Sequence, residues 1–449
     1  MNKSPYIVAI EIGSSKIKGA VGRVDPSGTL TVTGIDEERL DPNYVRYGCV
    51  QNVKEVANLL NRVIAKLNNR IHPSKISAVY LGVGGRSLKS TSANLSIALA
   101  DDTEVTPEIV DNLLNRATVT SPDFERLAVE PVEFLVDGKN RGVDPVGMLA
   151  RELAAKASVV SCRSQILRNL QLSVNEKLEL PINGYVVRPM AMADLVLTGE
   201  QKRLGAMLVD CGAETTTVAI YKGGVLVYLA TIPLGSRHIT RDLMTLPVIE
   251  ERADEIKRTI GDARPAEEHR GGTPDEIDTS KINNIVAARA SEIVANIAAQ
   301  TEYAGLTPSD LAEGIVIVGG GSMLKGFAET LAQTTGMNVR RGSLPTTVRL
   351  SGSKISTTED LDVISLLYRL SLKDVLKPCT VEPEPTAETA GTADAAGGEG
   401  EYGFTDEEED DGLNEPIKKR SFSERLRGVM KRLGGTSEID AFDDEDEEN

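Results

Sequence analysis

Residues 204–224, LGAMLVDCGAETTTVAIYKGG, decide the fold, because a buried strand, an acidic residue and a glycine turn follow one another there. The strand ends in Asp210, and the apolar residues after the turn predict a hairpin that reverses at residues 222–224. Residues 6–16, YIVAIEIGSSK, show the same order near the start of the chain, with Glu11 at the end of the strand. This repetition predicts an internally duplicated, two-lobed α/β fold of the kind that binds nucleotides.

Three glycine turns carry the predicted chemistry, and each follows a buried strand. They are residues 11–16, EIGSSK, residues 210–217, DCGAETTT, and residues 318–324, VGGGSML. Glycine lets a ligand approach the backbone closely, and the N–H groups and hydroxyls of such turns surround phosphates. Any one turn alone is also compatible with an unliganded loop, but the three in this order are more specific. The expected nucleotide contacts are Glu11, Gly13, Ser14, Ser15, Lys16, Asp210, Gly212, Thr215, Gly319, Gly320, Gly321 and Ser322.

The expected metal chemistry is limited to Mg²⁺. The two strand-end carboxylates, Glu11 and Asp210, are predicted to hold this ion through water beside the phosphates. The four cysteines and three histidines do not stand at the spacing of zinc ligands, so a zinc site is not expected. Scattered, unpaired cysteines are typical of a reducing cytosol.

Charge is distributed unevenly along the 449 residues, whose formal net charge is −17. Residues 380–449 carry 22 acidic and 7 basic side chains, which leaves a net charge of −2 for residues 1–379. A nearly neutral body without a basic stripe argues against nucleic acid as the main partner. The length predicts two or more domains, and no apolar run is long enough to predict a transmembrane helix.

The composition changes abruptly after residue 379. Residues 380–416 hold 13 acidic and no basic side chains and are predicted to form a disordered linker. Residues 417–433 predict a basic amphipathic helix, and residues 434–449 form an acidic tail. Such a helix is typical of a membrane-surface anchor, the alternative being a helix that docks on the body or on a partner. The residues expected to contact anionic lipid are Phe422, Leu426, Val429, Leu433, Arg425, Lys431 and Arg432.

These motifs resemble those of the actin, heat-shock chaperone and sugar-kinase superfamily. Residues 11–21 resemble its first phosphate loop, with Glu in place of the usual Asp, and residues 190–224 resemble the approach to its second phosphate loop. Residues 314–327, GIVIVGGGSMLKGF, are similar to its adenosine loop. Within the superfamily, residues 129–160 resemble the inserted 1C subdomain that is peculiar to the FtsA family. The likeness runs along nearly all of residues 6–379.

The resemblance implies a division of the chain into subdomains, a linker, a helix and a tail. The expected bounds are 1–78 and 161–199 for subdomain 1A, 79–160 for subdomain 1C (an SHS2-like insertion), 200–250 and 313–379 for subdomain 2A, 251–312 for subdomain 2B, 380–416 for the acidic linker, 417–433 for the membrane helix and 434–449 for the tail.

The resemblance also implies a function in cell division. It implies an ATP-binding protein that polymerises with itself, anchors the FtsZ ring and helps to recruit later division proteins. The expected location is the cytoplasmic side of the inner membrane at the septum, as a peripheral protein. Asp254 and Lys257 match purine and ribose contacts, and Arg289 matches a basic position that contacts the C-terminal tail of FtsZ, a solvated surface arginine being the alternative. Because the second loop departs from the family pattern at Glu214 and Thr217, at most weak ATP hydrolysis is expected.

Two other functions are compatible with the same fold. One is the adaptor of type IV pilus machines, which resembles the FtsA family, and the other is a small-molecule kinase. A kinase needs a carboxylate base beside the substrate hydroxyl, and Asp210 is the candidate here. The basic helix behind a long linker favours cell division, since fold alone does not choose among these functions.

Overall fold

The computed structural model describes residues 5–119, 121–142, 144–264, 279–352, 355–373 and 376–382. The predicted membrane helix, the acidic tail and the linker beyond residue 382 lie outside these residues. No helix within the described ranges is both long and apolar enough to cross a bilayer.

The described chain alternates strands and helices. The strands are β1 Ile7–Ile12, β2 Lys16–Val24, β3 Leu30–Arg39, β4 Val45–Arg46, β5 Cys49–Val50, β6 Lys75–Ile76, β7 Val79–Val83, β8 Lys89–Glu104, β9 Phe124–Val136, β10 Lys139–Gly142, β11 Leu149–Arg163, β12 Ile182–Val187, β13 Ala206–Cys211, β14 Thr216–Lys222, β15 Val225–Ile232, β16 Ile315–Val318, β17 Val339–Arg341, β18 Val348–Leu350 and β19 Thr380–Val381. The α-helices are α1 Val53–Ile71, α2 Pro107–Asn115, α3 Ser164–Gln171, α4 Arg188–Val196, α5 Gly199–Leu204, α6 Ser236–Leu243, α7 Glu250–Thr259, α8 Thr279–Tyr303, α9 Phe327–Thr335 and α10 Leu361–Ser371.

The two lobes are built on sheets with the same plan. The first sheet has the order β12-β7-β1-β2-β3-β18, and the second has the order β15-β14-β13-β16-β17. In each sheet a central strand, β1 or β13, pairs antiparallel with the next strand of its hairpin and parallel with a later strand, β7 or β16. The internal duplication predicted from the repeated strand-and-turn pattern is therefore confirmed by the strand order.

The central strands are buried on both faces because helices cover the sheets. Every residue of β1 and of β13 is buried, which explains their continuous apolar runs. Helix α1 begins after Asn52, whose side chain accepts a hydrogen bond from the backbone N–H of Glu55 (3.2 Å). Its apolar face packs on β2 at Gly19, where a Cβ atom would lie 2.7 Å from Leu67 Cδ1. Glycine at this position lets the helix approach the sheet closely.

A separate four-stranded antiparallel sheet, in the order β10-β9-β11-β8, is inserted after β7. Helix α2 packs against it and buries Val110, Leu113 and Leu114 in a small core of its own. The boundary expected at residue 79 is corrected by β7, which pairs in parallel with β1 and β12 in the first sheet. Backbone pairing, which local sequence does not reveal, therefore assigns residues 79–83 to the first lobe.

The end of the described chain returns to the first lobe, which corrects the predicted extension of the second lobe to residue 379. Strand β18 pairs in parallel with β3, and β19 pairs antiparallel with β6. Helix α10 lies between these strands in the chain and packs on β1, β2 and α4. Its Leu366 side chain occupies the space that a Cβ atom would need at Gly82, 2.8 Å from Leu366 Cδ1. The apolar face of α10 thus completes the core of the first lobe.

Candidate functional site

A cleft of about 630 Å³ lies between the two lobes. Its walls include the turn after β1, the turn after β13 and the glycine turn after β16, so the three glycine turns converge on one space. The convergence follows from the duplicated sheets, because the carboxyl ends of β1 and β13 both point into the cleft. Helices α7 and α10 contribute further walls. The residues of the three turns could therefore contact one ligand together.

The structure brings most of the expected nucleotide contacts to this cleft. The expected residues that line it are Glu11, Gly13, Ser14, Ser15, Lys16, Asp210, Gly212, Thr215, Asp254, Lys257, Gly319, Gly320 and Gly321. Ser322 does not line it, since its side chain is buried and its hydroxyl donates a hydrogen bond to the carbonyl oxygen of Gly319 (2.7 Å). Ser322 therefore shapes the third turn from behind.

Two glycines of the third turn have different surroundings. Gly319 has a φ of +82°, and a Cβ atom there would lie 2.5 Å from the carbonyl oxygen of Cys211. Only glycine fits this contact without moving the second turn. At Gly320 a Cβ atom would meet no atom within 4 Å. Gly319 thus joins two turns to each other, whereas Gly320 borders open space in the cleft.

A buried arginine lies between the two strand-end carboxylates. Arg188 Nη1 donates a hydrogen bond to Glu11 Oε1 (3.0 Å), and Arg188 Nη2 lies 3.1 Å from Asp210 Oδ2. The Arg188 side chain is 14% exposed. Burial raises the pKa of Glu11 to about 7, while the Arg188 guanidinium opposes that rise. One cation thus contacts a carboxylate from each lobe.

Sequence reasoning missed Arg188. The residue stands at the start of α4, after the partly buried strand β12 and directly before Pro189. A basic residue between an apolar strand and a helix-starting proline was the available signal, because a charge so placed needs a buried partner.

The carboxylate pair does not fit a divalent cation between Glu11 and Asp210, because the Arg188 guanidinium is already there. Mg²⁺ demands near-octahedral oxygen ligands and cannot share that space with a permanent cation. Asp210 Oδ2 keeps no aligned hydrogen bond despite its contact with Arg188. Across the described residues, no group of three or more His, Cys, Asp or Glu side chains could hold a metal ion.

The unusual Glu214 of the second turn is held by arginines. Arg241 Nη2 and Arg237 Nη1 donate to Glu214 Oε1 over 2.9 Å and 3.3 Å, and Arg46 Nε lies 3.7 Å from the same atom. The backbone N–H of Tyr47 donates to Glu214 Oε2 over 2.6 Å. The Glu214 carboxylate is completely buried. Its charge is therefore neutralised by groups of both lobes, at the border of the cleft.

The second departure of the same turn, Thr217, faces away from the cleft. Its hydroxyl shares a 3.1 Å hydrogen bond with that of Thr231 on β15, and its side chain is buried. The position where the resemblance implies an Asp therefore supplies no carboxylate to the cleft.

Asp254 and Lys257 lie one helical turn apart on α7 and form a polar pair at the cleft. Lys257 Nζ donates to Asp254 Oδ1 (2.6 Å) and to Thr240 Oγ1 (2.8 Å). Burial lowers the pKa of Lys257, although the neighbouring Asp254 carboxylate works against this change. The pair can present both a donor and an acceptor to a bound polar ring or sugar.

The predicted partner residue, Arg289, lies on α8 and does not line the cleft. Its Nε and Nη2 atoms contact Asp242 over 2.6 Å and 3.2 Å, and its Nη1 atom donates to Glu292. The side chain keeps 27% of its surface exposed. Any acidic partner at Arg289 would therefore compete with two carboxylates of this chain.

Two family models match the chain. One, described as the cell division protein FtsA, matches residues 207–358, which include the second and third turns. The other, described as an SHS2 domain inserted in FtsA, matches residues 85–161, which include the inserted four-stranded sheet.

Curated proteins and solved structures resemble this chain over most of its length. The cell division protein FtsA of Porphyromonas gingivalis is 29% identical over 387 residues, covering 83% of this chain and 78% of that protein. Those of Bacillus subtilis and Escherichia coli K12 are 26% and 25% identical, with 76% and 75% of this chain covered and 80% and 84% of theirs. A chain of the PilM-PilN type IV pilus biogenesis complex superposes with a TM-score of 0.57 at 16% identity, covering 82% of this chain and 98% of that chain. This last likeness shows the actin-like fold alone, whereas the two family models and the curated relatives agree that the chain belongs to the FtsA family of cell division proteins.

Proposed function

We propose that this protein is a nucleotide-binding, actin-like component of the division machinery that links the FtsZ ring to the membrane. The observation that carries the proposal is the inserted sheet β8–β11, in the region that matches the FtsA-type SHS2 domain, on a body whose two lobes enclose a cleft. The proposed role includes polymerisation of the protein with itself and recruitment of later division proteins.

The proposed ligand of the cleft is ATP. The space is lined by both polar and apolar groups and is bordered by three turns whose backbone N–H groups suit phosphates. Gly320 leaves room beside the third turn for an adenosine, and Asp254 and Lys257 supply polar groups on α7. The chain contributes the binding and orientation of phosphates, while Thr217 leaves hydrolysis without a carboxylate at the position implied by the resemblance.

The proposed membrane attachment uses residues 417–433, which lie outside the described residues. Seven basic residues and Glu424 give residues 417–433 a net charge of +6. Each basic residue near an anionic surface contributes about 1 kcal/mol, and the apolar face adds burial in lipid. The proposed location is the cytoplasmic face of the inner membrane, at the septum.

Location in live cells tests the proposal as a whole. A fluorescent fusion in the bacterium that encodes the protein is expected to form a ring at mid-cell. The variant with Leu426→Glu and Val429→Glu is expected to leave the membrane and to lose co-sedimentation with anionic vesicles. Deletion of residues 436–449, which removes acidic side chains that the lipid repels, serves as the opposite control and should strengthen sedimentation. A polar or diffuse signal of the parent protein would contradict the division role.

A further inference from the structure

We propose that Arg188 takes the place of a divalent cation between Glu11 and Asp210, so that this chain binds its nucleotide without requiring Mg²⁺. The inference deepens the nucleotide-binding function proposed above and rests on it. It starts from the disagreement between the predicted metal position and the occupied space: the two carboxylates expected to hold Mg²⁺ both contact one guanidinium, at 3.0 Å and 3.1 Å.

The charge of Arg188 is permanent. A guanidinium stays protonated at every pH at which the protein is folded, so it cannot give way to a metal by losing a proton. Its planar fork presents a different nitrogen to each carboxylate: Nη1 donates a hydrogen bond to Glu11, and Nη2 forms an ion pair with Asp210 without an aligned hydrogen bond. A divalent cation entering the same space would meet this charge at close range, where repulsion between like charges is strong.

Arg188 also has little freedom to move aside. Its guanidinium lies against the backbone of Gly84, where a Cβ atom would be 3.3 Å from Arg188 Nε. Its backbone is held at the start of α4, with Pro189 as the next residue. Its salt-bridge partners among the described side chains are Glu11 and Asp210. Displacement by a metal would separate this largely buried cation from both of its salt-bridge partners, which is unfavourable.

The position of Arg188 suits phosphate as well as carboxylate. It lines the same cleft as the first and second glycine turns, whose amides are the proposed phosphate donors. Arg188 Nε has no hydrogen-bond partner among the described residues, so the guanidinium keeps a buried donor beyond the two groups that it contacts. A cation fixed there neutralises phosphate charge from the protein side, which is the role that a bound Mg²⁺ otherwise fills.

Nucleotide affinity measured by calorimetry in Mg²⁺ and in EDTA tests the inference. For the parent protein, the Kd for ATP is expected to differ by less than about threefold between the two buffers, whereas a metal-dependent site would change by tenfold or more. Arg188→Gln should weaken binding in EDTA by about tenfold or more and should recover most of the loss in Mg²⁺, because the two carboxylates become free to hold the ion. Arg203→Gln is the matched control, since Arg203 forms an exposed pair with Glu200 and neither residue lines the cleft.

A second arm uses metal alone and needs no nucleotide. Millimolar Mg²⁺ should leave the melting temperature of the parent protein unchanged and should raise that of Arg188→Gln, because only the variant presents an unoccupied pair of carboxylates. Mn²⁺, followed by its paramagnetic resonance spectrum, should bind to Arg188→Gln and not to the parent. Arg188→Lys, which keeps the charge but not the fork, should resemble the parent in this arm.

The outcomes distinguish failure of this inference about Arg188 from failure of the proposed nucleotide-binding function. A parent protein that binds ATP at least about tenfold more tightly with Mg²⁺ than in EDTA overturns the inference, even if Arg188→Gln does not fold. Metal binding to the parent at the same affinity as to Arg188→Gln also overturns it. Failure of the parent to bind nucleotide in either buffer, with metal bound only by the variant, would instead contradict the proposed nucleotide function and support the placement of Arg188.

Discussion

The backbone N–H of Tyr47, in the first lobe, donates a 2.6 Å hydrogen bond to the carboxylate of Glu214, in the second lobe. The same carboxylate is shared by arginines from both sides of the cleft: Arg46 from the first lobe and Arg237 and Arg241 from the second. Glu214 therefore joins the lobes across the cleft by charge as well as by hydrogen bonding.

Glu214→Ala is expected to destabilise the protein by about 2–4 kcal/mol, because it leaves several arginines beside a buried gap. The cost is less than for a fully buried cluster, since Arg46 and Arg241 partly face solvent. Urea denaturation measures it, and Glu200→Gln, which removes an exposed pair with Arg203, should leave the free energy of unfolding almost unchanged. Equal effects of the two variants would show that Glu214 does not join the lobes.

Gly320→Trp should weaken nucleotide binding by at least about tenfold while leaving the fold intact, because its side chain enters open space in the cleft. Gly320→Ala, which adds one methyl group to the same space, should bind as the parent does. Gly319→Ala should instead lower the melting temperature, since its Cβ atom would collide with the carbonyl of Cys211. If Gly320→Trp binds ATP as tightly as the parent does in a calorimetric titration, the third turn does not contribute to the nucleotide site.

ATP turnover by the isolated protein is expected to stay below about 1 per second, the lower end of the range for typical enzymes. Thr217→Asp is not expected to restore hydrolysis, because this side chain faces Thr231 rather than the cleft. An uncompensated carboxylate at this buried position should lower the melting temperature instead. Phosphate release by the parent above that rate would contradict the prediction of slow hydrolysis. Faster phosphate release by Thr217→Asp would contradict the placement of this side chain away from the cleft.

Arg289→Glu should weaken binding of an FtsZ C-terminal tail peptide in a fluorescence-polarisation titration. The change also breaks the pair with Asp242, so a control must separate the two effects. Asp242→Asn removes the same pair and leaves Glu292 as the remaining carboxylate beside Arg289, so this variant should bind the peptide at least as tightly as the parent does. If both variants lose binding equally, the pair matters for structure and Arg289 does not contact the peptide.

Stability is expected to fall in acid partly through His238, whose Nδ1 accepts a 3.1 Å hydrogen bond from the backbone N–H of Gly235. Burial, aided by the charge of Arg241, lowers the pKa of His238 below its value in the unfolded chain. The unfolded state then binds more protons, so this contribution is complete above about pH 6.5 and is lost as the pH falls below it. Melting curves of His238→Gln, which cannot titrate, should therefore decline less from about pH 7.5 to 5.5 than those of the parent. If the melting temperatures of His238→Gln and of the parent fall equally over this pH range, His238 is not a source of the loss of stability in acid.

The sequence predicted those parts of the fold whose signal is local. The repeated hairpins and the glycine turns follow from apolar runs and turn residues within short windows. It did not predict that β18 and α10 return to the first lobe, because the apolar face of α10 shows that it is buried but not against which sheet. Long-range pairing decides that question.

The candidate site shows the same limit. Carboxylates and glycines at strand ends predicted the cleft, because each of these motifs can be recognised within a short stretch of sequence. The partners of Glu214 come from separate segments, at Tyr47, Arg237 and Arg241, and Arg188 meets Glu11 across most of the first lobe's sequence. Ion pairs between distant segments leave no pattern in any one of them.

The return of the chain to the first lobe sets the path by which mechanical tension would enter the body. Residues beyond 382 follow directly after β19, whose two residues pair with β6 in the first lobe. A pull on the C-terminal segment would thus reach the first lobe before the second, next to helix α10, which contributes Leu361 and Asp362 to the wall of the cleft. The second lobe would receive part of that load across the cleft, at contacts such as those of Glu214 and Arg188, so whatever fills the cleft also affects how stiffly the two lobes are coupled under tension.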